Sequence, residues 1–163
     1  MQFEADVCLV VIKEDSPGKY SILLCDPTGS ARWCLPAGEV VKIENESDHL
    51  QSPNDLFPLL CLHYLNYFTD LEDDVLDDGE ILKYSFDRIP GDDENLDRMV
   101  YSYWTLIDKD KEKAVEKTLK KKKGNVAFFP YAENGAAGIP EMADPMQRSL
   151  IDEVMSHFCH RDN

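Results

Sequence analysis

Hydrophobic periodicity changes twice along this chain, and those changes restrict it to a mixed fold. Ala5 to Ile12 is a short apolar run rich in valine, and Tyr20 to Cys25 is a second one. Asp15-Ser16-Pro17-Gly18-Lys19 between them is a turn signal, so the two predict a hairpin. Asp26-Pro27-Thr28-Gly29-Ser30 closes the second strand. Trp33-Cys34-Leu35-Pro36-Ala37-Gly38 follows, then a short strand-like run from Glu39 to Ile43 and a polar loop from Asn45 to Asn54.

The pattern then becomes helical. Leu56, Leu59, Leu60, His63, Tyr64, Tyr67, Phe68 and Leu71 recur at the spacing of one helix face. Pro53 and Pro58 are expected in or near its first turn, since a later proline removes a hydrogen bond and clashes. Asp70 to Glu80 reads as an acidic loop. Ile81 to Ile89 and Met99 to Ile107 return to strand-like alternation across the turn Asp92-Asp93-Glu94, which predicts a second hairpin. Val126 to Phe129 reads as a short strand and Asn134 to Pro140 as a loop. Asp144-Pro145 opens a last amphipathic helix with Met146, Leu150, Ile151, Val154, Met155 and Phe158 inward. The expected fold class is α/β (α+β), a mixed sheet with helices packed on its faces, with residues 1–163 as one domain.

At Trp33 to Glu44 the sequence resembles the first half of a Nudix box. That box runs Gly, five residues, Glu, seven residues, then Arg-Glu-hydrophobic-x-Glu-Glu-x-Gly-hydrophobic, often behind a Trp-x-Leu-Pro-(Gly/Ala)-Gly lead-in. Trp33, Leu35, Pro36, Ala37 and Gly38 match the lead-in, and Glu44 falls where the first glutamate belongs. The resemblance implies a Nudix-like sheet and a hydrolase-like cleft. The second half of the box does not match. A strict count lands on Ser52 to Leu60, with Ser-Pro in place of Arg-Glu. Aligned by the helix pattern, His63 and Tyr64 stand over Arg-Glu, and Tyr67 and Phe68 over Glu-Glu. Family members use these glutamates to hold Mg²⁺, which neutralises a diphosphate and helps form the attacking hydroxide. Phenols and a phenyl ring do not replace carboxylates for a hard cation. The resemblance therefore implies a degenerate box, no metal at the usual place, no cofactor and no catalytic residue.

The ligand cleft is expected to gather Trp33, Leu35, Gly38, Glu44, His63, Tyr64, Tyr67 and Phe68. Tyr64, Tyr67 and Phe68 read either as core packing or as an aromatic floor that stacks a base or grips a peptide side chain. His63 reads as a boundary histidine rather than a base. The function expected is a non-catalytic module that binds a protein or a nucleotide-type ligand. The alternative is a divergent Mg²⁺-dependent hydrolase of nucleoside diphosphate-linked substrates using Glu44 and Glu39, because the Leu-Pro-Ala-Gly lead-in is similar to that of relatives acting on nucleoside diphosphates. The other acids near Glu44 and after the helix read as solvated loop charge.

Charge narrows the partners. A formal net charge of -15 repels nucleic acid and anionic membrane surfaces, leaving a protein as the expected partner. The local exception is the lysine-rich stretch 109–123, an exposed segment in which Lys120, Lys121, Lys122 and Lys123 are candidates for docking an acidic partner. Cys8, Cys25, Cys34, Cys61 and Cys159 form no CxxC pair and read as reduced, buried small hydrophobes. No signal-peptide pattern or bilayer-length apolar run is present, so the expected location is cytoplasmic or nuclear. His157, Cys159 and His160 do not have zinc-ligand spacing.

Overall fold

A computed structural model describes residues 2–40, 53–77, 82–90, 96–131 and 138–159. It shows a mixed α+β fold. Among the described residues, six strands form one sheet: β1 (Gln2–Ser16), β2 (Lys19–Cys25), β3 (Ala37–Glu39), β4 (Leu82–Pro90), β5 (Leu96–Leu106) and β6 (Val126–Tyr131). The order is β4-β5-β1-β2-β6, and β3 pairs with β1 off this path. Only β1 and β5 run parallel; the remaining pairs are antiparallel. Both expected hairpins form, β1–β2 around Gly18 and β4–β5. Gly18 sits at φ +80°, a conformation that a side chain would strain.

Helices cover both faces because the strands are apolar on both sides. On one face Val7, Leu9, Val11, Leu23 and Tyr103 pack against α1 (Pro53–Thr69) and α2 (Glu112–Lys120). On the other, Val10, Ile12, Ile22, Leu24 and Trp104 pack against α3 (Pro145–Cys159). The side chains alternate from one core to the other along β1 and β2, as the two-residue period requires. All the inward residues expected on α3 are buried except Met146, which is half-buried.

Three details depart from the sequence reading. Pro58 lies inside α1 rather than in its first turn. The acidic stretch after α1 contains a short 3₁₀ turn, Asp73–Val75, and Leu76 bridges to Ile107. The face of α1 is rotated: Phe57, Leu60, Cys61 and Leu65 are buried, whereas Leu59 and Tyr67 are 57% and 70% exposed and His63 is exposed. Apolar residues run nearly all round this helix, so period alone could not choose its buried side.

Leu65 has no exposed surface and sits in the α1 core, so Leu65→Ala should lower unfolding free energy by about 2–5 kcal/mol in denaturant titration. Alkaline stability is a second check. Burial pushes the Tyr103 and Tyr131 phenols up to about 12, with Tyr131 also donating to Asp152 Oδ1 at 2.9 Å. The folded chain then keeps protons that the unfolded chain releases, so this contribution is intact below about pH 10 and is lost as pH rises toward 12. Urea midpoints measured across that window should fall, and Tyr131→Phe should flatten the decline.

Candidate functional site

The site is built from a gap in the sheet. β1 and β2 pair from the turn up to Ile12 and Ile22, and beyond that point the segment after β2 comes between them. The inserted segment is hydrogen-bonded to both strands. Cys34 exchanges both hydrogen bonds with Cys25, each 2.8 Å. Leu9 N–H donates to Pro36 O at 2.9 Å, and Ala37–Glu39 pairs with Asp6, Val7 and Cys8 of β1. Ala143 N–H donates to Trp33 O at 2.9 Å, and Leu35 N–H donates to Gln147 Oε1 at 2.9 Å. The leader of α3 thus holds the same segment from behind.

This insertion places Gly38 directly under α1. A Cβ on Gly38 would fall 2.2 Å from Cζ of Tyr64 and 2.4 Å from Cε1, so only glycine lets the phenol ring lie on the backbone. The Tyr64 hydroxyl donates to Glu39 O at 2.5 Å. Desolvation, then the nearby carboxylates of Glu39 and Asp6, raise the Tyr64 phenol above its ordinary value, so it is neutral at pH 7.

Two clefts lie nearby, the first bordering this contact. One, of about 220 Å³, lies on the α3 side and is lined by Asp6, Gly38, Glu39, Asp144, Met146 and Gln147, among others. Its described lining carries three carboxylates and no basic side chain. The other, of about 250 Å³, lies at the end of α1, where Cys25, Asp26, Tyr67, Phe68, Lys122 and Asn125 meet.

The residues expected in one cleft are therefore spread over several places. Gly38 and Tyr64 touch, with Glu39 as the acceptor of the phenol. Tyr67 and Phe68 stack edge-on at 5.0 Å in the second cleft. Trp33 and Leu35 face the α3 core, where Trp33 meets Phe129 edge-on at 4.7 Å. His63 points outward beside Tyr64, ring centroids 5.3 Å apart. Glu44 lies outside the described residues. Lys120, Lys121 and Lys123 are exposed, whereas Lys122 is half-buried in an ion pair with Asp70, Nζ to Oδ2 2.9 Å. Among the described residues no three His, Cys, Asp or Glu side chains converge as a metal site.

Sequence reasoning missed Asp6, Asp144 and Gln147. A carboxylate inside the valine-rich run of β1 was the available sign for Asp6. Asp144, whose Oδ1 accepts from Met146 N–H at 3.0 Å, carries only a helix-start signal in the sequence.

With this geometry, the chain has a Nudix-like fold. Shewanella oneidensis NrtR superposes with a TM-score of 0.62 at 15% identity, covering 94% of this chain and 63% of that one. The chain therefore spans less than two thirds of that protein. The Nudix domain of the same NrtR, solved with ADP ribose, gives 0.57 at 14% identity over 97% of this chain and 90% of that domain. A MutT/nudix family protein from Listeria innocua gives 0.55 at 16% identity, covering 96% and 95% of the two chains. No protein-family model and no curated protein matches the sequence. Among the described residues no helix is long and apolar enough to cross a membrane.

If the Gly38–Tyr64 contact fixes the insertion, Gly38→Ala should destabilise the fold by about 1–3 kcal/mol. The same substitution in a Tyr64→Ala background should cost much less. A double-mutant cycle with a coupling energy near zero would show that the ring and the glycine are independent.

Proposed function

We propose that this chain is a non-catalytic Nudix-like module whose principal ligand is another protein. The observation that carries the reading is Tyr64: a neutral phenol lies on Gly38 and donates to Glu39 O, on the helix face from which a Nudix enzyme presents carboxylates. Magnesium prefers several oxygen ligands in octahedral geometry. From Pro53 to Thr69, α1 carries a single carboxylate, Asp55, in its first turn. Its donor set does not fit the ion, and no reaction step is assigned to one.

A protein ligand is favoured by what α1 turns outward. Leu59, His63 and Tyr67 are four residues apart and share one face. Among the described residues, Leu59 and Tyr67 are the exposed large hydrophobics. An exposed tyrosine beside aliphatic surface has the composition of an interface anchor. The α3-side cleft is less suited to a whole nucleotide. Its volume of about 220 Å³ is below the roughly 300–1,000 Å³ of common ligand sites, and its carboxylates repel a diphosphate.

Two observations favour a second reading, binding of a nucleotide-type ligand without hydrolysis. The similar NrtR domain was solved with ADP ribose, and NrtR itself also with a 27mer DNA. Hydrolysis, the remaining alternative, would draw on Glu44 and Glu39 with Mg²⁺.

The purified chain should release no product from nucleoside diphosphate derivatives above the heat-inactivated control, with Mg²⁺ or Mn²⁺ present. Turnover that is metal-dependent and disappears in Glu44→Gln would overturn the non-catalytic reading. A thermal-shift series with ADP ribose separates the two binding readings: a saturable rise in Tm assigns the ligand to the nucleotide class.

A further inference from the structure

The geometry points to Cys25 and Cys34 as a reversible disulfide site, oxidised by a small-molecule disulfide such as oxidised glutathione. The two residues are nine positions apart on either side of the Asp26–Trp33 loop, and the fold sets them opposite each other. They form an antiparallel bridge and exchange both backbone hydrogen bonds, Cys25 N–H to Cys34 O and Cys34 N–H to Cys25 O, each 2.8 Å. Directly opposed residues of this kind have Cα atoms about 5.5 Å apart and side chains on one side of the sheet. Disulfides span Cα separations of about 4.4–6.8 Å. The Cα spacing therefore suits a disulfide, while the Cβ atoms of a hydrogen-bonded pair stand wider than the roughly 3.5–4.5 Å of the bond, so the two strands draw together locally when it forms.

The surroundings agree. Both thiols lie on the α1 side of the insertion, since neighbouring Trp33 and Leu35, and Leu24, face the α3 core. Each is a free thiol in this structure. Cys25 is buried in the wall of the cleft shared with Tyr67, Phe68 and Lys122, whereas Cys34 is partly exposed. Burial raises both thiols, and Asp26 raises Cys34 further, while Lys122 acts to lower Cys25. Little thiolate is present at pH 7, so the exchange is slow.

The order of events follows from access. The Cys34 thiolate attacks one sulfur of the small disulfide, and the first small thiolate leaves. The Cys25 thiolate then attacks the Cys34 sulfur of the mixed disulfide and expels the second. Two protein thiols lose two electrons and two protons, and one small disulfide becomes two thiols. The bridge ties the Asp26–Trp33 loop at its base and removes the Cys25 thiol from the cleft wall.

The test equilibrates the whole folded chain with oxidised and reduced glutathione, quenches by alkylation and maps tryptic peptides. Tyr20–Arg32 should be joined to Trp33–Lys42 with loss of two hydrogens, and dithiothreitol should separate them. The link should persist when Cys8, Cys61 and Cys159 are all serine and vanish in Cys34→Ser. Its equilibrium constant should exceed that of the same chain unfolded in urea by about tenfold or more, because the fold and not only the short spacing brings the sulfurs together. Three results overturn the assignment: glutathione adducts on Cys34 with no link, a link from Cys34 to another cysteine, or a constant no larger than in urea.

Discussion

The structure depends on the Trp33–Glu39 segment entering the sheet where β1 and β2 cease to pair. Unpaired strand edges in an interior are costly, because each buried backbone group left without a partner forfeits a hydrogen bond. The segment satisfies that need on both sides, through Cys34 toward β2 and through Pro36 to Glu39 toward β1. Trp33 O and Leu35 N–H are met by Ala143 and Gln147 at the start of α3. One irregular stretch therefore ties together the central strand, its neighbour and the C-terminal helix. It also fixes the Gly38 backbone on which the Tyr64 ring rests.

The chemistry of the site follows from that tie. Once Gly38 is held under α1, whatever α1 carries at position 64 meets it. A carboxylate there would present oxygens to a cation. The phenol instead fills the space with a ring and uses its hydroxyl on a backbone carbonyl. Burial and neighbouring acids keep it protonated, which suits a structural donor.

Charge is arranged with similar economy. The lysine-rich stretch is not a free basic arm throughout: Lys109 pairs with Glu14 of β1, and Lys122 pairs with Asp70 at the end of α1. Val115 anchors α2 to the core, so the remaining exposed lysines are displayed from a fixed helix and the turn after it. Exposed pairs such as Lys109–Glu14 contribute little to stability. Their consequence is placement, bringing the basic segment beside an acidic one on a strongly acidic chain.

The sequence by itself determined the element order, the two hairpins, α1 and α3, because turn residues and apolar period act over a few neighbouring positions. Only the tertiary structure decided which face of α1 is buried, since Leu56 to Leu65 offers apolar residues on nearly every side. It alone set β5 parallel to β1, the phenol on Gly38 and Cys25 opposite Cys34. These relations join residues through pairing across the sheet, and a pattern read along the chain has no term for partners that folding brings from elsewhere.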